Sequence, residues 1–431
     1  MNEARLPQVP VSERTVRLLG ATLIDGTGAA PMRDAEILMV DGRITYAGAR
    51  RVDDDVHPAA TAVDLQGKTV LPGFIDTHLH FGLALEDMAA DVGRFESERT
   101  LRAAARARRT LMAGVTAARD VGGLDAGLRD AIAQGLALGP RMHISIVLLS
   151  PTGGHVDCHR ANGSCTHLPM PLNPVVDTDD DIRRTVRLLL RSGADVIKVC
   201  TTGGVSSPSD TPDDLGVPAE HVRLIREETA RRAHQPVAAH AQGKAGIMQA
   251  LLGGVASIEH GYGVDDECLD LMLEKGIFLV PTLSTALRMP DPAQVPGYLY
   301  KKKEYWSAQA RKNVAHALQR GVRVAMGTDA GVCPHGFNLK ELGHMVDLGL
   351  TPMQAIQAGT RNAAELMRLD DELGSVQAGR VADLVIVDFD PLSDIHRLAD
   401  PDQIGAVIQG GAPVKDANNW LGLPMRRSAL G

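Results

Sequence analysis

The chain has no run of about 18 apolar residues, the length a membrane-crossing helix needs, so no membrane span is expected. Its first stretch, MNEARLPQVP, lacks the basic n-region and apolar h-region of a secretory signal, which makes the cytoplasm the expected location. It also lacks a surplus of positive charge. The formal net charge is −8, from 45 Lys and Arg against 53 Asp and Glu, interspersed along the sequence, and no nucleic-acid partner is expected. Internal repeats and low-complexity tracts are absent as well. The 5 cysteines are odd in number and show no disulfide-scaffold spacing. Cys200 and Cys268 read as small buried hydrophobes. Cys158 and Cys165 lie in GGHVDCHRANGSCTHLP beside His155, His159 and His167, and three readings stay open for them. These are a small metal site, a disulfide pinning the loop, and two free thiols on a mobile loop.

What the chain does have is length and pattern. At 431 residues it suits one barrel plus an accessory domain rather than one small core. Residues 15–70 hold short alternating runs broken by Asp-Gly and Gly turns, the pattern of antiparallel sheet. From Leu71 onward apolar strand-like runs alternate with helical segments, as in a parallel barrel. Strands are expected to end near His80, Asp120, Leu149, Cys200, His240, His260, Thr282 and Asp329. Helices are expected over LRAAARARRTLMAG, DDIRRTVRLLLRSG, EHVRLIREETARRA and KKKEYWSAQARKNVAHALQRG, with two more from about Leu339 and Thr351. In the first of these, the arginines of RAAARARR should form a solvated face. After Gly374 the run GRVADLVIVDF should return to the β domain, which both termini would then build. The expected fold is α/β, a (β/α)8 TIM-like barrel over 71–372 with a small β-sandwich domain from 1–70 and 373–431.

Six residues at or near the ends of such runs carry the chemistry: His78 and His80 in LPGFIDTHLHF, Lys198 in ADVIKVCTTGG, His240 in PVAAHAQG, His260 in VASIEHG and Asp329 in VRVAMGTDAG. A parallel barrel gathers strand ends onto one face. Two imidazoles one residue apart on a strand point to the same side, so His78 and His80 can clasp one divalent ion. His240 and His260 can hold a second, and Asp329 can ligate through one oxygen and accept a proton through the other. Lys198 is the odd member, because an ammonium has no lone pair. Carboxylation by carbon dioxide would turn it into a bidentate anion able to bridge two ions. Two ions roughly 3.5–4 Å apart would activate a bridging water and polarise the oxygen it attacks. Imidazole and carboxylate without thiolate favour zinc, with manganese, cobalt and iron as alternatives. Singly, each residue also has a bland role: a bonded histidine, a snorkelling lysine, an aspartate capping a helix. The common order and setting of all six argue for a metal site.

These motifs, with GVTAARDVGG, PTGGH, TRNAAELMRL and GSVQAGRVADLVIVD, resemble the amidohydrolase superfamily over nearly the whole chain. The branch they resemble is the binuclear one with a carboxylated lysine, and within it the metal-dependent Xaa-Pro and Xaa-Arg dipeptidases and the ochratoxin-type amidases. The resemblance implies hydrolysis of an amide bond in a dipeptide or N-acyl amino acid by a metal-bridging hydroxide. It implies two divalent ions, N6-carboxylysine at Lys198, a small-molecule substrate and, at family level, a homo-oligomer.

In that mechanism Asp329 takes the proton of the nucleophile and passes it to the leaving nitrogen. His155, after PTGG, resembles the dipeptidase position that contacts substrate near its carbonyl or carboxylate. Dipeptidase relatives often read His-Ala-Tyr after the fifth strand, whereas this chain reads His240-Ala241-Gln242, so Gln242 stands where a phenol would assist the carbonyl. Arg288 and Lys301–Lys303 lie on the segment between the seventh and eighth strands, where a substrate carboxylate could be met, with solvated surface charge the stronger reading for the lysines, and His335 is expected to line the pocket. The alternatives are a cyclic amide, lactone or phosphotriester hydrolase on the same site, an imidazolonepropionase- or deaminase-like enzyme with one metal, and a non-catalytic scaffold. The deaminase-like enzyme would use a Glu or His of the fifth or sixth strand. Glu259, next to His260, should point away from it on a strand. The scaffold reading conflicts with the complete ligand set.

Overall fold

The computed structural model describes residues 9–12, 14–51, 60–84, 93–157, 159, 162, 172–232 and 235–429. Cys158, Cys165 and His167 lie outside them, so the readings of that loop are not addressed.

The early strands are β1 (Thr15–Leu23), β2 (Met32–Val40), β3 (Arg43–Ala49), β4 (Thr61–Asp64) and β5 (Thr69–Pro72). Those that follow are β6 (Phe74–Leu79), β7 (Val115–Asp120), β8 (Arg141–Ile144), β9 (Leu148–Leu149), β10 (Ile197–Cys200), β11 (Val237–Ala241), β12 (Ser257–His260) and β13 (Phe278–Val280). Last come β14 (Leu384–Val387), β15 (Ala406–Gln409) and β16 (Ala412–Asp416). The helices are α1 (Glu96–Met112), α2 (Ala126–Ala133), α3 (Asp179–Arg191), α4 (Ala219–Ala230), α5 (Lys244–Gly253) and α6 (Asp266–Lys275). They continue with α7 (Leu283–Ala286), α8 (Gly297–Gln319), α9 (Lys340–Asp347), α10 (Pro352–Ala358) and α11 (Arg361–Leu366).

Both ends of the chain build one sheet in the order β16-β15-β14-β5-β1-β2-β3, with β4 paired to β1. The antiparallel expectation for residues 15–70 holds for β1–β2 and β2–β3, but β4 and β5 run parallel to β1. Bulges near Ala21 divide β1 between its two parallel neighbours, the first half meeting β4 and the second β5.

The middle of the chain is α/β with parallel sheets, β6-β7-β8 and β13-β12-β11-β10-β9. Their strands are buried throughout, as their apolar runs require. The expected third strand is two short pieces, because Ile146 takes a left-handed backbone (φ 71) between β8 and β9. The expected eighth strand lacks a ladder. Residues 322–330 instead alternate partners: Leu279 N donates to Arg323 O (2.8 Å), Thr77 N to Met326 O (2.8 Å) and His80 N to Ala330 O (2.7 Å). That segment passes so close to β6 that a Cβ on Gly327 would lie 2.7 Å from His78 Cβ and 2.3 Å from Val280 Cγ1.

The helices pack apolar stripes on these sheets. In α3 the buried set Ile182, Val186 and Leu189 follows the helical period, and Thr178 with Asp181 forms a capping box at its start. The RAAARARR face is only partly solvated: Arg108 and Arg109 are exposed, but Arg106 is buried and donates to Phe81 O (2.9 Å), two residues beyond β6. None of the described helices is long and apolar enough to cross a membrane.

Candidate active site

The C-terminal ends of β6, β10, β11 and β12 and the 322–330 segment converge on a cavity of about 200 Å³ lined by His78, His80, Lys198, His240, His260 and Asp329. All six are buried. The ring centroids of His78 and His260 lie 4.9 Å apart, those of His240 and His260 4.6 Å, and those of His78 and His80 5.5 Å. Asp329 Oδ1 lies 3.3 Å from His80 Nε2 and 3.5 Å from His78 Nε2, and these three present ligand atoms close enough to share one ion.

Each imidazole is oriented by a bond on its outer nitrogen. His78 Nδ1 meets Glu259 Oε2 (2.7 Å), His80 Nδ1 meets Gly122 O (2.8 Å), His260 Nδ1 meets Thr282 Oγ1 (2.7 Å), and His240 Nε2 meets Gly203 O (3.0 Å). The opposite nitrogen of each is left for the cavity, the arrangement that fixes tautomer and aim in metal-binding histidines. Burial pushes the pKa values of His78, His240 and His260 well below the usual range, so these rings keep lone pairs at neutral pH. His80 departs from them: burial acts against its charge, but the bond and charge of Asp329 outweigh it and raise its pKa.

Lys198 Nζ is buried and has no hydrogen-bond partner. Burial lowers its pKa to about 8. An unbonded buried ammonium is costly, which makes this amine the anomaly of the site.

Sequence reading missed the supports. On regular alternation Glu259 and His260 face opposite ways, but the left-handed backbone of His260 (φ 72) lets both side chains reach His78. Glu259 Oε1 is also bound by Arg119 Nη2 (2.8 Å) and Ser257 Oγ (2.5 Å). Asp76, in the quoted LPGFIDTHLH, holds the Asp329 segment against β6 by accepting from Thr328 Oγ1 (2.6 Å), Asn338 Nδ2 (2.7 Å) and His78 N (3.0 Å). The sequence signal for both was a charged residue inside an apolar run. Tyr262 lines the cavity from the end of β12, its hydroxyl 3.1 Å from Thr282 Oγ1.

Of the expected substrate contacts, His155 and Gln242 line the cavity. His155 stacks on His240 with centroids 4.2 Å apart, and its Nδ1 is held by Asp210 Oδ2 (2.9 Å). Gln242 Oε1 accepts from Val205 N (2.9 Å), which leaves its NH2 end for the cavity. His335 requires a correction. It lies behind the cavity wall, stacked on Phe81 (5.1 Å), with Nε2 on His80 O (3.1 Å). Arg288 is not among the residues that line the cavity. It is exposed on an outer groove, where its Nη1 lies 3.4 Å from Val332 O.

The model of the amidohydrolase family matches residues 69–414. Ochratoxinase of Aspergillus niger is 31% identical over 436 residues, covering 95% of this chain and 89% of the relative. The crystal structure of that enzyme superposes with a TM-score of 0.85 at 28% identity, covering 97% of this chain and 99% of the other. A Xaa-Pro dipeptidase crystallised with methionine in its active site gives a TM-score of 0.85 at 31% identity, covering 93% and 100%. The chain belongs to the amidohydrolase family. Within it, the chain is a hydrolase acting on amide bonds.

Proposed function

We propose that this hydrolase is a binuclear metalloenzyme that cleaves the amide bond of a dipeptide or N-acyl amino acid. His78, His80, Lys198, His240, His260 and Asp329 are its ligands, zinc its preferred metal, and Lys198 its carboxylated bridge. The observation that carries this reading is the orphaned Lys198 amine among four aimed imidazoles. Its lowered pKa supplies a neutral fraction that can attack carbon dioxide. An N–C bond forms, one proton leaves, and the resulting carbamate offers two oxygens. The imidazole and carboxylate donor set suits divalent zinc. Ions held there would supply an acidified water and polarise the substrate carbonyl.

The chain's own residues do the rest. Asp329 accepts a proton from the attacking water and delivers it to the leaving nitrogen as the C–N bond breaks, giving a carboxylic acid and an amine. His155, braced by Asp210, and the Gln242 amide orient the acyl half. Glu259 has its oxygens engaged by His78, Arg119 and Ser257, which argues against its use as the acid–base group of a deaminase. The printed activities of the relatives, ochratoxinase and Xaa-Pro dipeptidase, support the amide substrate.

The same reading makes the two parallel sheets arcs of one (β/α)8 barrel spanning residues 71–372. Support comes from Asp195 N donating to Ile144 O (2.8 Å) between β8 and β10, and from the 322–330 segment bonded to both β13 and β6. The terminal sheet, from 1–70 and 373–431, folds over as a sandwich, since Leu18, Ile37, Val63, Val70, Leu384 and Ile408 share one core. The buried free thiols Cys200, Cys268 and Cys333 suit a cytoplasmic location. The test is hydrolysis of a library of dipeptides and N-acyl amino acids by zinc-loaded protein, read as released amine. Cleavage abolished by chelation and restored by zinc is expected. Inactivity with metal bound would shift the reaction to cyclic amides or lactones.

A further inference from the structure

One more cation stands against the cavity. Lys303 projects from α8, half-buried, and lines the cavity together with Asp329, His260, Thr285 and Val332. Its Nζ donates to Thr285 O (2.6 Å), and among the described residues no carboxylate lies within 4.0 Å of it. An ammonium carries three donor hydrogens, and one bond to a neutral carbonyl leaves a desolvated charge short of partners. Its neighbours differ. Lys302 Nζ is engaged by the carbonyls of Gly204 (3.1 Å), Ser207 (2.5 Å) and Asp210 (2.8 Å), and Lys301 is exposed. Three consecutive lysines thus occupy three different settings, and only the third faces the reaction chamber.

The location of Lys303 says which half of a substrate it meets. Its anchor, Thr285, donates through Oγ1 to Thr328 O (3.1 Å), so the ammonium sits on the side of the cavity built by the Asp329 segment. If Asp329 returns a proton to the leaving nitrogen, the amine half of the substrate lies on that side, and the acyl half lies toward His155. Lys303, Thr285 and Val332 also border an outer groove that has Met289, Pro290, Val295 and Leu299 as apolar lining and Arg288, Asp291 and Gln294 as polar lining.

We propose that Lys303 binds the free carboxylate of the departing amino acid, whose side chain extends along the apolar lining of the outer groove. The substrate class is then acyl amino acids and dipeptides with an unblocked C-terminus and an apolar last residue. This rests on the amide-hydrolysis reading above. A charge-assisted bond from the ammonium to a carboxylate, made away from bulk water, gives the recognition.

The experiment compares N-acyl-leucine with N-acyl-isopentylamine, the same amide without its carboxylate, using zinc-loaded full-length protein. The wild type should favour the acid by about 10- to 100-fold in kcat/KM, the size of one hydrogen-bonded charge contact. In Lys303→Met that ratio should fall toward one, with the loss for the acid carried by KM, and Lys303→Arg should retain part of it. Equal rates for the two amides in the wild type would overturn the assignment, and so would a preference that survives in Lys303→Met. If the Met variant fails to fold, the wild-type ratio and the Arg variant still decide. Turnover of neither amide would overturn the reading of the substrate as a dipeptide or N-acyl amino acid, and this assignment with it.

Discussion

Asp329 and Lys198 both face the histidine cluster, yet their removal should have different consequences. Asp329 is one oxygen donor beside two imidazoles and also the proposed proton carrier. Asp329→Asn should therefore keep most bound metal and lose about 10²–10⁴ in kcat, checked by metal analysis alongside steady-state rates. Full activity in that variant would remove Asp329 from the proton path. Lys198→Ala should lose metal and turnover together, and short carboxylic acids should return part of both by occupying the vacated space. Retained metal in the alanine variant would count against the carbamate. At this scale the residues proposed as reactive could be picked out because each lies at or near the end of an apolar run, where a titratable side chain has no packing reason to be. Glu259, Asp76 and Arg119 were not read as parts of the site, since their partners come from strands far away in sequence.

Among the elements, the turn after β13 shows how remote helices tune the site. Glu341, on α9, accepts from Leu283 N (2.6 Å) and Ser284 N (2.6 Å), fixing the turn that begins at Thr282. Thr282, itself left-handed (φ 48), holds His260 in place. Burial raises the Glu341 pKa from 4.5 to about 8 despite those bonds. The folded state therefore binds a proton that the unfolded state has lost. The stability contribution is full below about pH 4.5 and is lost as pH rises through about 8, with a slope of at most about 1.4 kcal/mol per pH unit. Urea unfolding of wild type and Glu341→Gln between pH 5 and 8 should show the wild type losing stability faster as pH rises. Parallel curves would rule out this linkage. The strand ends and main helices were legible from periodicity. The split third strand and the ladderless eighth were not, because Ile146 and the Gly327 approach are set by neighbours rather than by local propensity.

On the scale of the whole molecule, the proposed metal centre adds a further tie among strands already linked by backbone bonds and by side-chain bonds such as His78–Glu259 and Thr328–Asp76. It also gathers four imidazoles and a lysine that would repel or dehydrate one another without an ion. Ions that bind only the folded state should stabilise it by about 3–4 kcal/mol at 100–1,000 times Kd. For a chain of this size that corresponds to a melting temperature about 3–4 °C lower after chelation, recovered on adding zinc. A melting temperature indifferent to metal would contradict a structural contribution from the centre.

The sequence by itself determined the α/β class of the fold and the order of the strands, and it singled out the side chains proposed as reactive. Those features are written locally, in the length of apolar runs, the turns that end them and the charged residue left at each end. Only the tertiary structure decided which nitrogen of each histidine is tied back, that His335 lies behind the cavity wall, and that Lys303 rather than Arg288 borders the reaction chamber. The reason is physical. Whether a charge is solvated or aimed at a substrate depends on what other segments pack around it, and no local pattern in the sequence encodes those neighbours.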